Sequence, residues 1–321
     1  MVKNVLRWVL LVLALVLVAF LVTSPIPVAG AEGLTGVPAY EPVTLTAESV
    51  TPIPYTDKTP YEPHASGYLP DKAGYLDPSI SVKVVPYRAY DTDMDVVWVQ
   101  IADASQLRAA GYATFPSKKT IAGTRLAKRE KAVLAFTGDS IVHMKTGWSV
   151  RNTQVLRERY NDNDAHEFDA LCIDAKGDLT ILRNMDKAKV TAYQAEHDLV
   201  HAFTFGPGLV VDGEVIAEFG SRFKPTHRAQ RVAIGQMDEL SYVIVVTDGP
   251  DDKSSTGLTL YELAELFGRL GAKQAYDLDG GSSSWLVLDG ERLNGKEGSK
   301  HRDIYDIIYF ATAVPEEASA Q

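Results

Sequence analysis

The sequence predicts an α+β fold: an N-terminal hydrophobic helix and a Pro-rich spacer, followed by a many-stranded mixed sheet domain with few helices. Three observations lead there. Beyond Pro78 the chain breaks into short apolar runs separated by Gly and Asp turns, the signature of strands. Only two stretches carry a helical period. Residues 24–78, by contrast, hold ten of the 16 prolines of the 321-residue chain and no sustained apolar period.

The leader is read first. Lys3 and Arg7 precede an uncharged apolar run from Trp8 to Val22, which marks an export segment. Its 15 residues fall short of the roughly 20 that span a bilayer and sit at the upper limit for a signal-peptide core. Snorkelling of Arg7 would lengthen the span, whereas Ala29-Gly30-Ala31 offers a peptidase an Ala-x-Ala site. Residues 1–31 are therefore expected to be a signal anchor or a cleaved signal peptide. With two cations on the cytoplasmic side, the rest of the chain is expected outside, at the cell membrane or secreted.

Residues 32–78 are expected to form an extended spacer, because Pro fixes φ and removes backbone donors. The working domain is placed at 79–312, with a tail at 313–321. Its strands are expected at 81–85, 96–101, 132–136, 170–173, 179–182, 209–211, 242–247, 275–278, 285–288 and 304–310. Asp289-Gly290 between two of these runs is a hairpin signal. A weaker helix is expected over 190–200. A stronger one starts at Thr259, whose Glu262 three residues later makes a capping box. Leu260, Leu263, Leu266, Phe267 and Leu270 give this helix an apolar stripe, and Gly271 closes it.

Composition excludes several functions. A net charge of −10 argues against a nucleic-acid partner, which needs clustered cations to displace counterions. A single cysteine, Cys172, excludes an intramolecular disulfide and a Cys-based zinc cluster; it reads as a buried strand residue. His197-Asp198-Leu199-Val200-His201 imitates the His-Glu-x-x-His zinc helix, but its carboxylate is one methylene short and no third ligand is evident. It is read as a decoy. Asn161-Asp162-Asn163-Asp164 resembles half a calcium loop without the Gly and the terminal Glu, and reads as a solvated turn. No P-loop, dinucleotide fingerprint or Gly-x-Ser-x-Gly elbow occurs, so no cofactor and no metal are expected.

The chemistry concentrates between Arg231 and Trp285. An apolar strand ending in Asp279-Gly280-Gly281, followed by Ser282 and Ser283, places a carboxylate at a strand end. The backbone beside it can turn sharply, and its free N–H groups can form a nest for an anion. By itself such a motif is equally well a tight turn.

The series as a whole resembles the phosphodiester glycosidase family. Thr137-Gly138-Asp139, Phe203-Thr204-Phe205-Gly206-Pro207, Gln230-Arg231-Val232-Ala233-Ile234-Gly235, Thr247-Asp248-Gly249-Pro250, Gly257-Leu258-Thr259-Leu260, Leu278-Asp279-Gly280-Gly281-Ser282-Ser283 and Arg302 ahead of Asp306-Ile307-Ile308-Tyr309 follow the family's order. Thr137, Pro250 and Ser282 depart from it, standing where the family has Asn, Arg and a third Gly. The resemblance implies hydrolysis of sugar-1-phosphodiester linkages on cell-surface glycans or exopolysaccharide. The alternative is a catalytically reduced glycan-binding or polysaccharide-assembly protein that keeps the pocket. Asp279, Asp248 and Asp139 are the carboxylates expected to serve the sugar carbon as nucleophile or as base for water. Arg231 and Arg302, with their paired donors, and the backbone from Gly280 and Gly281 to Ser282 and Ser283, are expected to hold the phosphate.

Overall fold

Runs of Val, Ile, Leu and Tyr, most of them fully buried, become strands here. Such strands form only where a sheet face can be covered on a common core. The computed structural model describes residues 34–47, 50–160, 168–250, 254–295 and 301–316, and Thr35–Gln321 form one compact unit. The leader and the acidic turn at 161–164 lie outside the described residues. Among those described, no helix is long and apolar enough to cross a membrane.

In chain order the strands are β1 (Gly74–Asp77), β2 (Ile80–Ala89), β3 (Thr92–Ile101), β4 (Leu107–Gly111), β5 (Leu134–Thr137), β6 (Gly147–Arg151), β7 (Gln154–Arg159), β8 (Ala170–Asp174) and β9 (Leu179–Leu182). They continue as β10 (Leu199–Phe203), β11 (Gly208–Val211), β12 (Glu214–Val215), β13 (Val232–Asp238), β14 (Ser241–Thr247), β15 (Gln274–Asp277), β16 (Leu286–Leu288), β17 (Glu291–Arg292) and β18 (Asp306–Phe310). The helices are α1 (Gly123–Arg129), α2 (Lys187–Glu196) and α3 (Leu260–Leu270).

Among the described residues the strands form three sheets: an eight-stranded one ordered β1-β2-β3-β14-β13-β15-β11-β12, and two five-stranded ones ordered β7-β6-β10-β8-β9 and β17-β16-β5-β18-β4. Their described pairs are antiparallel. One apolar core joins all three, with Val97 and Ile244 from the large sheet, Phe136 and Phe310 from one small sheet, and Leu171 and Phe203 from the other. On the opposite faces, α1 packs Leu126 and Ala127 against Val287 and Ile307, and α2 packs Val190 and Tyr193 against Trp148 and Cys172. Cys172 is fully buried in β8, as its apolar surroundings suggested.

The local signals formed as expected in two places. Asp289 and Gly290 both take positive φ, 54° and 64°, the geometry of the two-residue hairpin turn that joins β16 to β17. Thr259 Oγ1 accepts the Glu262 amide at 3.2 Å and Glu262 Oε2 accepts the Thr259 amide at 2.8 Å, and α3 ends at Gly271 with φ 86°.

The weaker helix is shifted and shorter than expected. Asp186 caps it by accepting the Lys189 amide, and it ends at Glu196. Residues 199–203 turn into β10, which pairs with both β6 and β8. A central strand buries Val200, His201, Ala202 and Phe203 far more completely than a surface helix could.

The expected spacer is also drawn into the domain. Pro removes a backbone donor but leaves its carbonyl, and a buried arginine uses what remains. Arg108, 1% exposed, donates to the carbonyls of Ile53, Pro54, Tyr55 and Asp57 at 2.7–3.4 Å. Thr59 hydrogen-bonds Tyr309, His64 bonds the Val314 carbonyl, and β1 completes the large sheet beside β2.

A chain starting at residue 79 therefore leaves Arg108 buried without these acceptors and β2 without its edge partner. It should be recovered insoluble or melt well below a chain starting at Leu34. Equal solubility and equal melting temperatures would return 34–78 to the role of a spacer.

Candidate active site

The motif segments meet at one end of the large sheet, because β13, β14 and β15 run antiparallel and bring Arg231, Asp248 and Asp279 to the same end. The chain at Ala229–Gln230 is the hub. The Gly281 amide donates to the Gln230 carbonyl at 2.9 Å, and a Cβ at Gly280 would stand 2.4 Å from that same oxygen. A Cβ at Gly249 would likewise meet the Gln230 side chain at 2.6 Å. The glycines of Asp-Gly and Asp-Gly-Gly are thus set by close backbone passage.

Asp279 and Arg302 form the most exposed charged pair of the loop. Arg302 Nη2 lies 3.0 Å from Asp279 Oδ2 and 3.4 Å from Oδ1, and Arg302 Nε donates to Ser283 Oγ. The Asp279 side chain is 12% exposed and that of Arg302 47%, so the carboxylate is shielded while the guanidinium meets solvent. Burial raises the proton affinity of Asp279; Arg302 and Ser283 oppose that, and nearby Asp139 adds to it. The Arg302 amide donates to the Ser282 carbonyl and its own carbonyl accepts from Trp285 Nε1, which pins the arginine's backbone.

The other expected residues have different work. Asp139 is sealed, with a side chain 0% exposed. It pairs with Arg151 at 2.9 Å and accepts the amides of Ile141 and Thr204, so it fixes the turn after β5 instead of facing a cleft. Arg231 is 11% exposed and donates to the carbonyls of Leu258 and His227 at 3.0 and 2.8 Å, with Asp277 at 3.6 Å. In this arrangement it ties down the Gly257-Leu258 segment, and its donors are turned to backbone carbonyls. Two of the four amides expected to hold an anion are committed within the loop: those of Gly281 and Ser283 donate to the Gln230 and Gly280 carbonyls.

Asp248 accepts the Gly295 amide at 2.9 Å and lines a separate cleft of about 390 Å³ with Asp95, Arg88, Tyr87 and Asn294. Burial, with the neighbouring Asp248, raises Asp95 to about 6. The two regions share a wall. Asn294 Nδ2 donates to the Ser284 carbonyl, and its Oδ1 accepts the Leu286 amide.

Three residues outside the expected set belong to this centre. Arg151, 5% exposed, lies 2.8 Å from Asp306 and 2.9 Å from Asp139, with its guanidinium 3.7 Å from the Phe203 ring centroid. Asp306 is lifted by burial, with Arg151 opposing and Asp139 and Asp279 reinforcing. Asp277, two residues before Asp279, is raised to about 7 by burial against the pull of Arg231. Asp306 stood in the closing motif and Asp277 beside the Asp-Gly-Gly turn. Arg151 had only the weak signal of a charge ending an apolar strand.

The zinc-helix imitation is taken apart by the chain itself. His197 follows α2, stacks on Tyr193 at 4.3 Å and faces Asp174 at 3.4 Å. His201 lies inside β10, where burial lowers it to about 3 and its Nδ1 accepts the Asn152 amide. Among the described residues no group of three or more His, Cys, Asp or Glu is placed to hold a metal ion.

The departures from the motif leave the loop intact. Thr137 Oγ1 donates to the Ser283 carbonyl and accepts the Trp285 amide, bracing the Asp279 loop against β5. Ser282 has no positive φ that would demand glycine, and Pro250 is exposed.

With this geometry in place, the comparisons define the class. A model of the phosphodiester glycosidase family matches residues 130–311, and the chain belongs to that family. The SPbeta prophage-derived uncharacterized protein YomE of Bacillus subtilis is 32% identical over 109 residues, 34% of this chain and 17% of that protein. The chain thus spans less than a fifth of that relative. Among solved structures, the zebrafish N-acetylglucosamine-1-phosphodiester alpha-N-acetylglucosaminidase catalytic domain, auto-inhibited by its pro-peptide, matches with a TM-score of 0.58 and 16% identity. The match covers 83% of this chain and 99% of that one. A hypothetical protein from Synechocystis matches with a TM-score of 0.52 and 15% identity, over 72% and 62% of the two chains. These structural likenesses show a shared fold.

Asp277 provides a test of the buried charge. Its folded pKa of about 7 lies above the ordinary value of 3.8. The protonated acid therefore favours the folded state at low pH, and that stability is lost as pH rises through 7. Asp277→Asn should melt at or above the wild-type temperature at pH 8 and lose that advantage at pH 5. A variant less stable at pH 8 than at pH 5, relative to wild type, would mean that the Arg231 pairing outweighs burial.

Proposed function

We propose that this chain hydrolyses sugar-1-phosphodiester linkages, with Asp279 as the carboxylate serving the sugar carbon and Arg302 as the cation that meets the phosphate. The observation carrying this reading is the Asp279–Arg302–Ser283 cluster, within the family's matched span. Cleavage at the sugar carbon builds positive charge on the ring while a phosphate ester departs with its negative charge. A shielded carboxylate answers the first demand. A half-exposed guanidinium, with planar paired donors, answers the second.

The leaving group is already a weak base, so protonation matters less here than for an ordinary glycoside. When phosphate reaches Arg302 it competes with Asp279 for the guanidinium. The loosened carboxylate then keeps its raised proton affinity, which suits a base that takes a proton from water. Asp248 and Asp95, sharing a wall with this loop through Asn294 and Ser284, suit the contacts to the rest of the glycan. Export behind Lys3 and Arg7 supports action outside the membrane, on cell-surface glycans or exopolysaccharide.

Hydrolysis of a sugar-1-phosphodiester in oxygen-18 water should place the label in the free sugar. Label in the phosphate would mean that the phosphorus–oxygen bond breaks instead. Asp279→Asn, which keeps size but cannot act as base or nucleophile, should lower the rate by about 100- to 10,000-fold. Arg302→Lys should fold normally and raise KM, because lysine keeps the charge without the fork. Wild-type protein that binds such substrates and turns over none of them would leave a glycan-binding protein as the reading.

A further inference from the structure

Asp306 lies behind the reacting carboxylate and takes no part in the chemistry above. Its Oδ2 receives Arg151 Nε at 3.0 Å and Nη2 at 2.8 Å, and its Oδ1 is buried with no hydrogen-bond partner. Its backbone carbonyl accepts the Gly138 amide at 3.2 Å, and the Gly138 carbonyl accepts the Asp279 amide at 3.1 Å. A Cβ at Gly138 would lie 2.7 Å from Asp306 Oδ1, so the carboxyl presses directly on the peptide that holds Asp279. On the far side of that peptide Asp139 is held by the same arginine.

We propose that Asp306 is a positioning residue for Asp279, acting through the Gly138 peptide and the Arg151 clamp it shares with Asp139. The proposal rests on Asp279 being the working carboxylate. Two routes connect the residues. One is mechanical: the turn at Gly138 is gripped between the Asp306 carboxyl and the backbone of Asp279. The other is electrostatic. Asp306 faces Arg151 from β6, Asp139 from the turn after β5, Asp279 from the loop after β15, and adjoins Tyr305, the residue before its own strand. Asp279 faces Arg302, Ser283 and Asp139, with Asp277 and Asp306 close by. A proton on Asp306 removes a negative charge beside Asp279, and ionising Asp306 makes Asp279 harder to ionise. Burial and the neighbouring acids raise both carboxyls.

The test is carbon-13 NMR titration of aspartate carboxyls in the full chain, with the Asp279 signal assigned by its loss in Asp279→Asn. In wild type the Asp279 curve should show two steps, as interacting sites do once their coupling exceeds about one pK unit. Asp306→Asn keeps an oxygen for Arg151 and removes the charge. It should collapse the curve to one step with a lower midpoint, moving the acid limb of kcat in the same direction. Loss of the grip should also lower kcat by between about ten- and 100-fold with KM within about twofold, the pattern of misplacement rather than lost binding.

A folded Asp306→Asn with an unchanged Asp279 curve and unchanged kcat would overturn the proposal and leave Asp306 a structural ion-pair partner. Should that variant not fold, the wild-type curve decides, since a single independent step contradicts the coupling. Gly138→Ala, which drives a methyl against Asp306, should lower kcat in the same range. If the wild type turns over no sugar-1-phosphodiester, the titration still reads the coupling, and only the hydrolase reading falls.

Discussion

The buried guanidinium of Arg151 is the constraint around which the motif-bearing end of the fold is organised. A charge taken out of water costs several kcal/mol unless it is paired and hydrogen-bonded. Here it meets Asp139, Asp306, the carbonyls of Val150 and Ala202, and the face of Phe203. Those partners come from β6, the turn after β5, β18 and β10, so a single side chain joins the two five-stranded sheets. Removing one partner of such a pair typically costs about 3–5 kcal/mol, which makes the arrangement close to all-or-none. The turn it fixes carries Gly138, and Gly138 receives the amide of Asp279.

From that anchor outward the site becomes progressively more open. Asp139 and Asp306 are sealed, Asp277 is nearly so, Arg231 and Asp279 are equally shielded, and Arg302 is half in solvent. Exposure sets Arg302 apart, and the partners, not the exposure, distinguish Arg231 from Asp279. Arg231 shows the distinction well. Its guanidinium is held by two backbone carbonyls, and the Gly257-Leu258 segment it secures leads into the capped helix α3.

Much of this was legible in the sequence because the signals were local. The short apolar strands, the Asp289-Gly290 hairpin and the Thr259–Glu262 box each depend on neighbours within a few residues, and they formed where their chemistry placed them. The ordered motif series kept its sequence order, and β13, β14 and β15 bring three of its segments to one end of the large sheet. What could not be read were facts of long-range register. An aspartate at a strand end looks alike whether it pairs with a half-exposed arginine, as Asp279 does with Arg302, or with a buried one, as Asp139 does with Arg151. Only the pairing of β18 with β5 and the position of Arg151 decide. The Pro-rich stretch announced its missing donors but not Arg108, some fifty residues on, that gathers its carbonyls. His201 fitted a helix by spacing, and the burial of β10 between β6 and β8 overrode that pattern.

The central claim is that substrate meets this protein at Asp279 and Arg302 and not at the other charged residues of the sheet end. A crystal structure with a non-hydrolysable sugar-1-phosphonate would test it most directly. The account predicts the phosphonate on the Arg302 guanidinium, with the anomeric carbon facing the Asp279 carboxylate and Arg231 still bound to the carbonyls of Leu258 and His227. A phosphonate held by Arg231, or a ligand seated between Asp95 and Asp248 with Asp279 and Arg302 still paired to each other, would contradict it.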